Sequence, residues 1–172
     1  MRWMWIDRVI ALEPGRRLVA VKNVSLAEEH LHDHFPADGR GAALPVMPAS
    51  LIIEGMAQTA GILVGHAGRF AEKVILAKIG KAEIDRDAGP GMTLRYTATL
   101  ERIDTLGAST TGVVELMDHA APGTAFAEIG RIDMMFSHID RNMAGTEFPE
   151  HNFVFSEGFR TLLRSSGIEA EF

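Results

Sequence analysis

The sequence predicts an α+β fold in which one long apolar helix is covered by an antiparallel β-sheet. Two observations carry this prediction. Residues 48–65, PASLIIEGMAQTAGILVG, are apolar on nearly every side of a helix, which is typical of a buried helix. Four later segments are rich in Val, Ile and Thr and are separated by turns, as expected for strands. An apolar helix needs cover, and a long sheet that wraps it is the economical arrangement.

Each element has a local signal. The segment RRLVAVKNVSL (16–26) alternates apolar and polar residues after the turn EPG, which predicts a strand. Pro48 suits the first turn of the helix, where its missing N–H would have no partner, and Gly65 suits the end. The four later strands are predicted at 73–84, 92–103, 109–118 and 125–136. The tail from about residue 139 is less regular, and EGFRTLLRSSG (157–167) predicts a short amphipathic helix.

Composition restricts the possible functions. A chain of 172 residues suggests one domain. It has no cysteine, which excludes disulfides, thiolate metal sites and cysteine nucleophiles and fits a reducing compartment, so a cytoplasmic location is expected. The formal net charge of -6 argues against nucleic-acid binding. The N-terminal residues lack a signal-peptide pattern. No uninterrupted apolar run reaches about 18 residues, the length of a membrane span.

The stretch His30 to Leu63 holds the candidate catalytic groups. Glu54 and Gln58 are four residues apart on the predicted helix, so they share a face, and Gln58 is expected to contact the substrate beside Glu54. A carboxyl group in an apolar setting is costly to ionise, which suits a proton donor, although an ordinary hydrogen-bonded buried acid is an open alternative. His34 precedes Phe35 and the rigid Pro36, which favours an extended loop and a general base.

The start of the helix supplies a third group. The backbone N–H groups of Ala49 and Ser50 have no partner inside the helix, so they can bind a carbonyl oxygen. Such donors stabilise negative charge that develops on the oxygen in an enolate-like transition state.

The histidine cluster HLHDH (30–34) has a second interpretation, as the H-x-H-x-D-H motif of zinc hydrolases. One residue is missing between His32 and Asp33, and the alternation of strands and helices that the motif requires is absent, so a metal site is not expected. His30 and His32 are expected to be solvated loop residues.

The order of several short segments resembles that of a known protein family. The segments DRV, EPG, VAVKNVS, HFP, PVMP, LIIEGMAQTAG and GPGMTL come in the order found in the 3-hydroxyacyl-[acyl-carrier-protein] dehydratases of the FabZ/FabA type. The resemblance implies the hotdog fold, a catalytic pair at His34 and Glu54, and a carbonyl-binding amide at Ala49. It also implies a homodimer, or a higher even oligomer, in which each site takes His from one subunit and Glu from the other.

The implied reaction converts a (3R)-3-hydroxyacyl thioester of acyl carrier protein, or of coenzyme A, to the trans-2-enoyl thioester. Both side chains return to their starting state, so neither a metal nor another cofactor is expected. Two alternatives remain open on the same fold. A thioesterase would need only a carboxylate such as Glu54 to activate water, and a non-catalytic acyl-binding protein or partner subunit would bind without turnover.

Three departures from the family pattern point to a divergent member. Residues 37–44, ADGRGAAL, form an insertion between His34 and the helix and are expected to be mobile. The usual Gly after PVMP is replaced by Ala49, which costs free energy only if that position needs a positive φ. The hotdog core is expected over residues 5–137, and residues 138–172 form a C-terminal extension within one domain of residues 1–172.

Overall fold

The computed structural model describes residues 3–39, 41–139, 148–149 and 152–169. Its strands are β1 (Arg8–Glu13), β2 (Arg17–Asn23), β3 (Val74–Ile84), β4 (Met92–Ile103), β5 (Gly107–Asp118) and β6 (Ala127–His138). Its helices are α1 (Glu29–Asp33), α2 (Ala49–Ala67) and α3 (Glu157–Ser165).

The six strands form one antiparallel sheet in the order β1-β2-β4-β5-β6-β3, so β1 and β3 are its two edges. Burial alternates along β4 and β5, which is the pattern of a sheet with one face on a core. Helix α2 lies on that face and contacts five of the strands. The predicted α+β arrangement, one long helix wrapped by an antiparallel sheet, is therefore confirmed.

Close packing joins α2 to the sheet. A Cβ atom at Gly55 would lie 2.6 Å from the ring and hydroxyl of Tyr96, and one at Gly112 would lie 2.5 Å from the sulfur of Met56. A side chain at Gly112 would displace the Met56 side chain, whereas one at Gly55 would also lie 2.9 Å from the backbone oxygen of Trp5. Gly55 therefore allows the close approach of the helix to the sheet, and with it the position of Glu54 one residue earlier.

The predicted strands are confirmed with boundary shifts of a few residues, but two elements were missed. Strand β1 lies in RVIALE, where burial does not alternate cleanly. Helix α1 has only five residues, too few for a periodic signal. At α2 two predictions were wrong in detail. Pro48 precedes the helix as its N-cap, and the helix continues past Gly65 to Ala67.

The C-terminal segment, defined here as residues 152–169, packs against the domain. It contains the predicted amphipathic helix, α3, whose Leu162 and Leu163 are buried. The side chain of Asn152 donates hydrogen bonds to the backbone oxygens of Phe70 (2.9 Å) and Glu72 (3.1 Å). The rest of the predicted extension, residues 140–147, 150–151 and 170–172, lies outside the described residues.

Among the helices that the structure describes, none combines the length and the apolar character needed to cross a lipid bilayer.

Candidate active site

His34 lies at the end of α1, and not in the extended loop that the sequence suggested. It is the C-cap residue, with φ -72° and ψ -44°, and its backbone N–H donates to the oxygen of His30 at 3.2 Å. The side chain is exposed, and its ring meets that of Phe35 edge to face with a centroid distance of 4.3 Å. The short helix therefore presents the imidazole outward, where a substrate could reach it.

His34 lines a pocket of about 660 Å³, called here the His34 pocket. Its lining combines aromatic, acidic and histidine side chains with the start of α2: Trp3, Met4, Trp5, Glu28, Glu29, His30, His34, Pro48, Ser50 and Leu51. The pocket lining thus includes the predicted base His34 and, at the start of α2, Ser50, whereas Ala49 is not part of it.

The N-terminus of α2 is open toward this pocket. The backbone N–H groups of Leu51 and Ile52 turn back to the oxygen of Pro48, at 2.9 and 3.3 Å. In the described part of the chain, no side chain caps the helix, and the N–H groups of Ala49 and Ser50 have no acceptor. Donors held in this way can bind a carbonyl oxygen.

Ala49 carries no backbone strain. It is the first residue of α2, and among the described non-glycine residues only Arg69 and Phe70 have a positive φ. The replacement of the family's Gly by Ala therefore leaves the backbone of the carbonyl-binding position in an ordinary helical conformation.

Glu54 is half-buried on α2, and Gln58 holds it. The Gln58 side-chain nitrogen donates to Glu54 Oε1 and to the backbone oxygen of Trp3, both at 3.1 Å. Its oxygen accepts from the backbone N–H of Trp5 at 2.9 Å. With both amide hydrogens bound to protein groups, Gln58 is placed to orient Glu54 and to fix the N-terminal residues on the helix. Its expected contact with the substrate stays a prediction.

Glu54 opens into a second cavity of about 320 Å³, called here the Glu54 groove. Apart from Glu54 and Gln58 its lining is apolar or glycine: Trp3, Ala57, Gly61, Ile62, Val74, Ile75, Leu76, Phe136, Val154, Phe155 and Phe159. Trp3 lines both cavities, but His34 and Glu54 line different ones. One chain therefore does not gather the two predicted catalytic side chains in a single pocket.

The expectation that His30 is a solvated loop residue was wrong. His30 is part of α1, and its side chain is only 17% exposed. Its ring meets Trp5 edge to face at 5.0 Å, and its Nε2 lies 3.4 Å from Oε2 of Glu28. Burial lowers the pKa of His30, and this effect outweighs the opposing influence of Glu28. The sequence lacked a signal for this residue because α1 is so short.

A buried lysine holds Glu28 beside His30. Lys22 is 5% exposed; it pairs with Glu28 and, at 3.2 Å, with Asp7. The signal was present in VAVKNVS, since Lys22 occupies an inward position of an alternating strand. Lys22 thus holds in place Glu28, which with Glu29 forms the acidic part of the pocket lining.

His32 takes a separate direction. Its side chain is exposed, as expected, but it belongs to α1 and not to a loop. Its Nε2 lies 2.6 Å from the backbone oxygen of Leu26. His30 and His32 therefore face different neighbours. Among the residues that the structure describes, no three His, Asp or Glu side chains are arranged to hold a metal ion.

The inserted loop is exposed and folds back on itself. Asp38 and Gly41 form a backbone bridge, with N–H to oxygen distances of 3.1 and 3.3 Å, and the N–H of Leu44 donates to the oxygen of Phe35 at 3.0 Å. Arg40 lies outside the described residues. The ends of the loop are thus held close to each other, and its expected mobility stays a prediction.

The sequence of the chain is similar to those of known proteins. The FabA-like domain family matches residues 2–119 of the chain. The FabZ 3-hydroxyacyl-[acyl-carrier-protein] dehydratase of Symbiobacterium thermophilum is 44% identical over 94 residues, 54% of this chain and 62% of that protein. The FabZ enzyme of Oenococcus oeni is 36% identical over 108 residues, 62% of this chain and 73% of that protein. The match thus spans less than two thirds of the first relative.

Solved structures share the fold at low sequence identity. The dehydratase heterocomplex ApeI:P of Xenorhabdus doucetiae aligns with a TM-score of 0.59 at 14% identity, over 81% of this chain and 86% of that chain. An acyl-CoA hydrolase of Agrobacterium tumefaciens aligns with a TM-score of 0.55 at 15% identity, over 76% of this chain and 46% of that chain. At this identity the likeness shows the fold alone, and the fold is the hotdog fold.

Proposed function

Because the chain belongs to the FabA-like domain family, we propose that it is a dehydratase that converts (3R)-3-hydroxyacyl thioesters to trans-2-enoyl thioesters. The observation that carries the proposal is the position of His34 in a pocket whose wall is the uncapped start of α2. A base and an unpaired N–H group at the start of a helix are what α-proton removal from a thioester needs, and His34 and Ser50 line the same pocket.

In the proposed reaction the thioester carbonyl accepts hydrogen bonds from the N–H groups of Ala49 and Ser50. These donors stabilise the negative charge that forms on the oxygen when the proton leaves C2. His34 takes that proton through its side-chain nitrogen. The exposure of the imidazole at the end of α1 leaves it accessible to this carbon.

Glu54 completes the elimination. Its carboxyl group donates a proton to the hydroxyl on C3, the bond from C3 to oxygen breaks, and water leaves. The electron pair from the broken bond between C2 and hydrogen becomes the new double bond. One proton is gained by His34 and one is lost by Glu54, so exchange of one proton between them, through water, restores both groups without a metal or a redox cofactor.

A homodimer would join the two halves of the site. In one chain His34 and Glu54 line separate cavities, so a complete site needs Glu54 of the partner subunit close to His34. The edge strand β3 supports such a contact, because its Ile75, Leu76 and Ile79 are 37–42% exposed. An exposed apolar edge strand is a surface suited to pairing with another chain.

The proposed substrate is a thioester of acyl carrier protein in fatty-acid or related lipid synthesis. The support is the name of the relatives, which are dehydratases of acyl-carrier-protein substrates. The coenzyme A thioester is the alternative carrier. The complete lack of cysteine supports a reducing compartment, and the proposed location is the cytoplasm.

The test is hydration of trans-2-enoyl thioesters, followed by loss of enoyl absorbance, with acyl carrier protein and coenzyme A carriers in parallel. We expect reversible formation of the 3-hydroxyacyl thioester. Release of free thiol instead would indicate a thioesterase. Binding of the thioester without either reaction would indicate a non-catalytic acyl-binding protein, and both results would overturn the proposal.

A further inference from the structure

Small residues form an open path along one face of α2. Ala57 follows Glu54 by three residues, and Gly61 follows Ala57 by four, so the three positions lie in one row on the helix. A Cβ atom at Gly61 would meet only the ring of Phe136, at 3.6 Å, which leaves the space above the helix free. Within the described structure, the Glu54 groove follows this row.

Phe155 ends the path at the next position of the same row, Gly65. A Cβ atom at Gly65 would lie 2.5 Å from Cζ of Phe155, so the phenyl ring occupies the notch that this glycine leaves. Phe155 is 3% exposed, and its ring contacts Phe70 at 4.9 Å and Phe159 at 5.9 Å between centroids. The aromatic cluster therefore closes the groove on the side away from Glu54.

Phe155 and Phe159, called here the plug, are anchored on both sides by the chain. Asn152 binds two backbone oxygens just after α2, and the hydroxyl of Ser166 accepts a hydrogen bond from the N–H of Val9 at 3.0 Å. Phe155 and Phe159 lie between these two attachments. The whole C-terminal segment also lies beyond residues 2–119, the part that the FabA-like family matches.

We propose that Phe155 and Phe159 terminate the acyl-binding groove and restrict the enzyme to short and medium acyl chains. This inference rests on the proposed function, since it takes Glu54 as the reacting end. The groove lining includes Gly61 but not Gly65, and Gly61 follows Glu54 by seven residues along the helix, about 10 Å at about 1.5 Å per residue. An extended chain advances about 1.2 Å per bond, one third of an extended residue, so about eight carbons fit beyond the reacting centre.

The test measures kcat/KM for hydration of enoyl thioesters from four to sixteen carbons. For the unmodified protein we expect kcat/KM to fall at least tenfold between ten and sixteen carbons. Phe155→Ala and Phe159→Ala should each raise the ratio of sixteen- to four-carbon kcat/KM about tenfold or more. Gly61→Leu fills the path before the plug and should lower the ratio of ten- to four-carbon kcat/KM by a similar factor.

Two further variants make the comparison fair. Phe153→Ala removes an equally large ring that is 43% exposed and lies outside the groove lining, so its chain-length profile should match that of the unmodified protein. Phe155→Leu replaces Phe155→Ala if the latter fails to fold. An unmodified protein that takes sixteen carbons as well as eight, or plug variants with an unchanged profile, would overturn the inference.

A binding measurement separates this inference from the proposed function. Non-reactive S-alkyl thioethers of coenzyme A, with butyl to hexadecyl chains, can be titrated by calorimetry without turnover. We expect the butyl to decyl compounds to bind tightly and the hexadecyl compound to bind weakly. In Phe159→Ala the affinity for the hexadecyl compound should rise at least tenfold. If turnover is absent but this length limit is found, only the proposed function fails.

Discussion

The side-chain amide of Gln58 donates a 3.1 Å hydrogen bond to Oε1 of Glu54, one turn earlier on α2. The same amide is bound to the backbone of Trp3 and Trp5, so the carboxyl group of Glu54 is oriented by the N-terminal residues of the chain. A group that moves a proton gains rate from such orientation, because a misplaced acid must first find its geometry.

Gln58→Met should therefore lower kcat about tenfold with little change in KM. The substitution keeps the length of the side chain and removes the amide. Thr59→Val is the matched control, since it removes a buried 2.7 Å hydrogen bond to the oxygen of Gly55 without touching Glu54. Both variants should lose thermal stability, but only Gln58→Met should lose kcat. Equal kcat values in the two variants would show that Gln58 does not act by positioning Glu54.

His34→Ala should lower turnover by roughly 10²–10⁴, the usual contribution of a general base, with an unchanged circular dichroism spectrum. His32→Ala should be mild, because that side chain lies against Leu26 and not in the His34 pocket. Comparable losses in both variants, together with zinc in elemental analysis, would favour the metal interpretation of the histidine cluster.

Glu54→Gln should lower kcat by roughly 10² or more, since it keeps the shape and removes the acid. Mixing it with His34→Ala tests whether the site is shared. If each site combines two subunits, random mixed dimers hold one intact site, and the mixture should recover about 25% of normal activity because half of the dimers are mixed. A mixture as inactive as its components, despite confirmed subunit exchange, would place both groups in one chain.

His30 should make stability depend on pH. Burial lowers its pKa in the folded protein, so the unfolded chain binds a proton more readily. Its contribution is therefore present above the ordinary value of about 6.5 and is lost as the pH falls through the lower folded value. Urea unfolding at pH 7.5 and 5.0 should show a smaller difference for His30→Phe than for the unmodified protein.

His32→Phe is the control for that measurement, because it replaces an exposed histidine of the same short helix by the same side chain. Lys22, Glu28 and His34 also act on His30, so the pH dependence should change again in Glu28→Gln. The same slope in the unmodified protein and in His30→Phe would assign the pH dependence to other groups.

Shortening residues 37–44 to a two-residue link should change KM or substrate preference and lower kcat less than tenfold, about 1.4 kcal/mol. The loop is exposed, and the contact of Leu44 with Phe35 already closes its base. We therefore expect it to control access to the pocket more than the chemistry. Abolished turnover, with Glu54→Gln near normal, would instead point to Asp38, the only carboxylate in the loop, as the acid.

Local patterns were sufficient for most of the fold. The long apolar run of α2, bounded by Pro48 and Gly65, and the Val-, Ile- and Thr-rich segments of the strands are local signals that each can be detected within one or two dozen residues. Strand β1 and helix α1 escaped because six and five residues carry too little periodic signal. The burial of His30 was missed as well, because it depends on a contact with Trp5, which is distant in sequence.

The sequence by itself thus determined the long helix, the sheet that covers it, and the residue types of the candidate site at His34, Ala49 and Glu54. Only the tertiary structure decided that His34 and Glu54 open into different cavities of one chain, and that Phe155 fills the notch at Gly65. The physical reason is the sequence separation between the residues that contact each other. Secondary structure follows from neighbours a few residues apart, whereas these relationships depend on how both chain ends pack on α2, about 50 and 90 residues away in sequence.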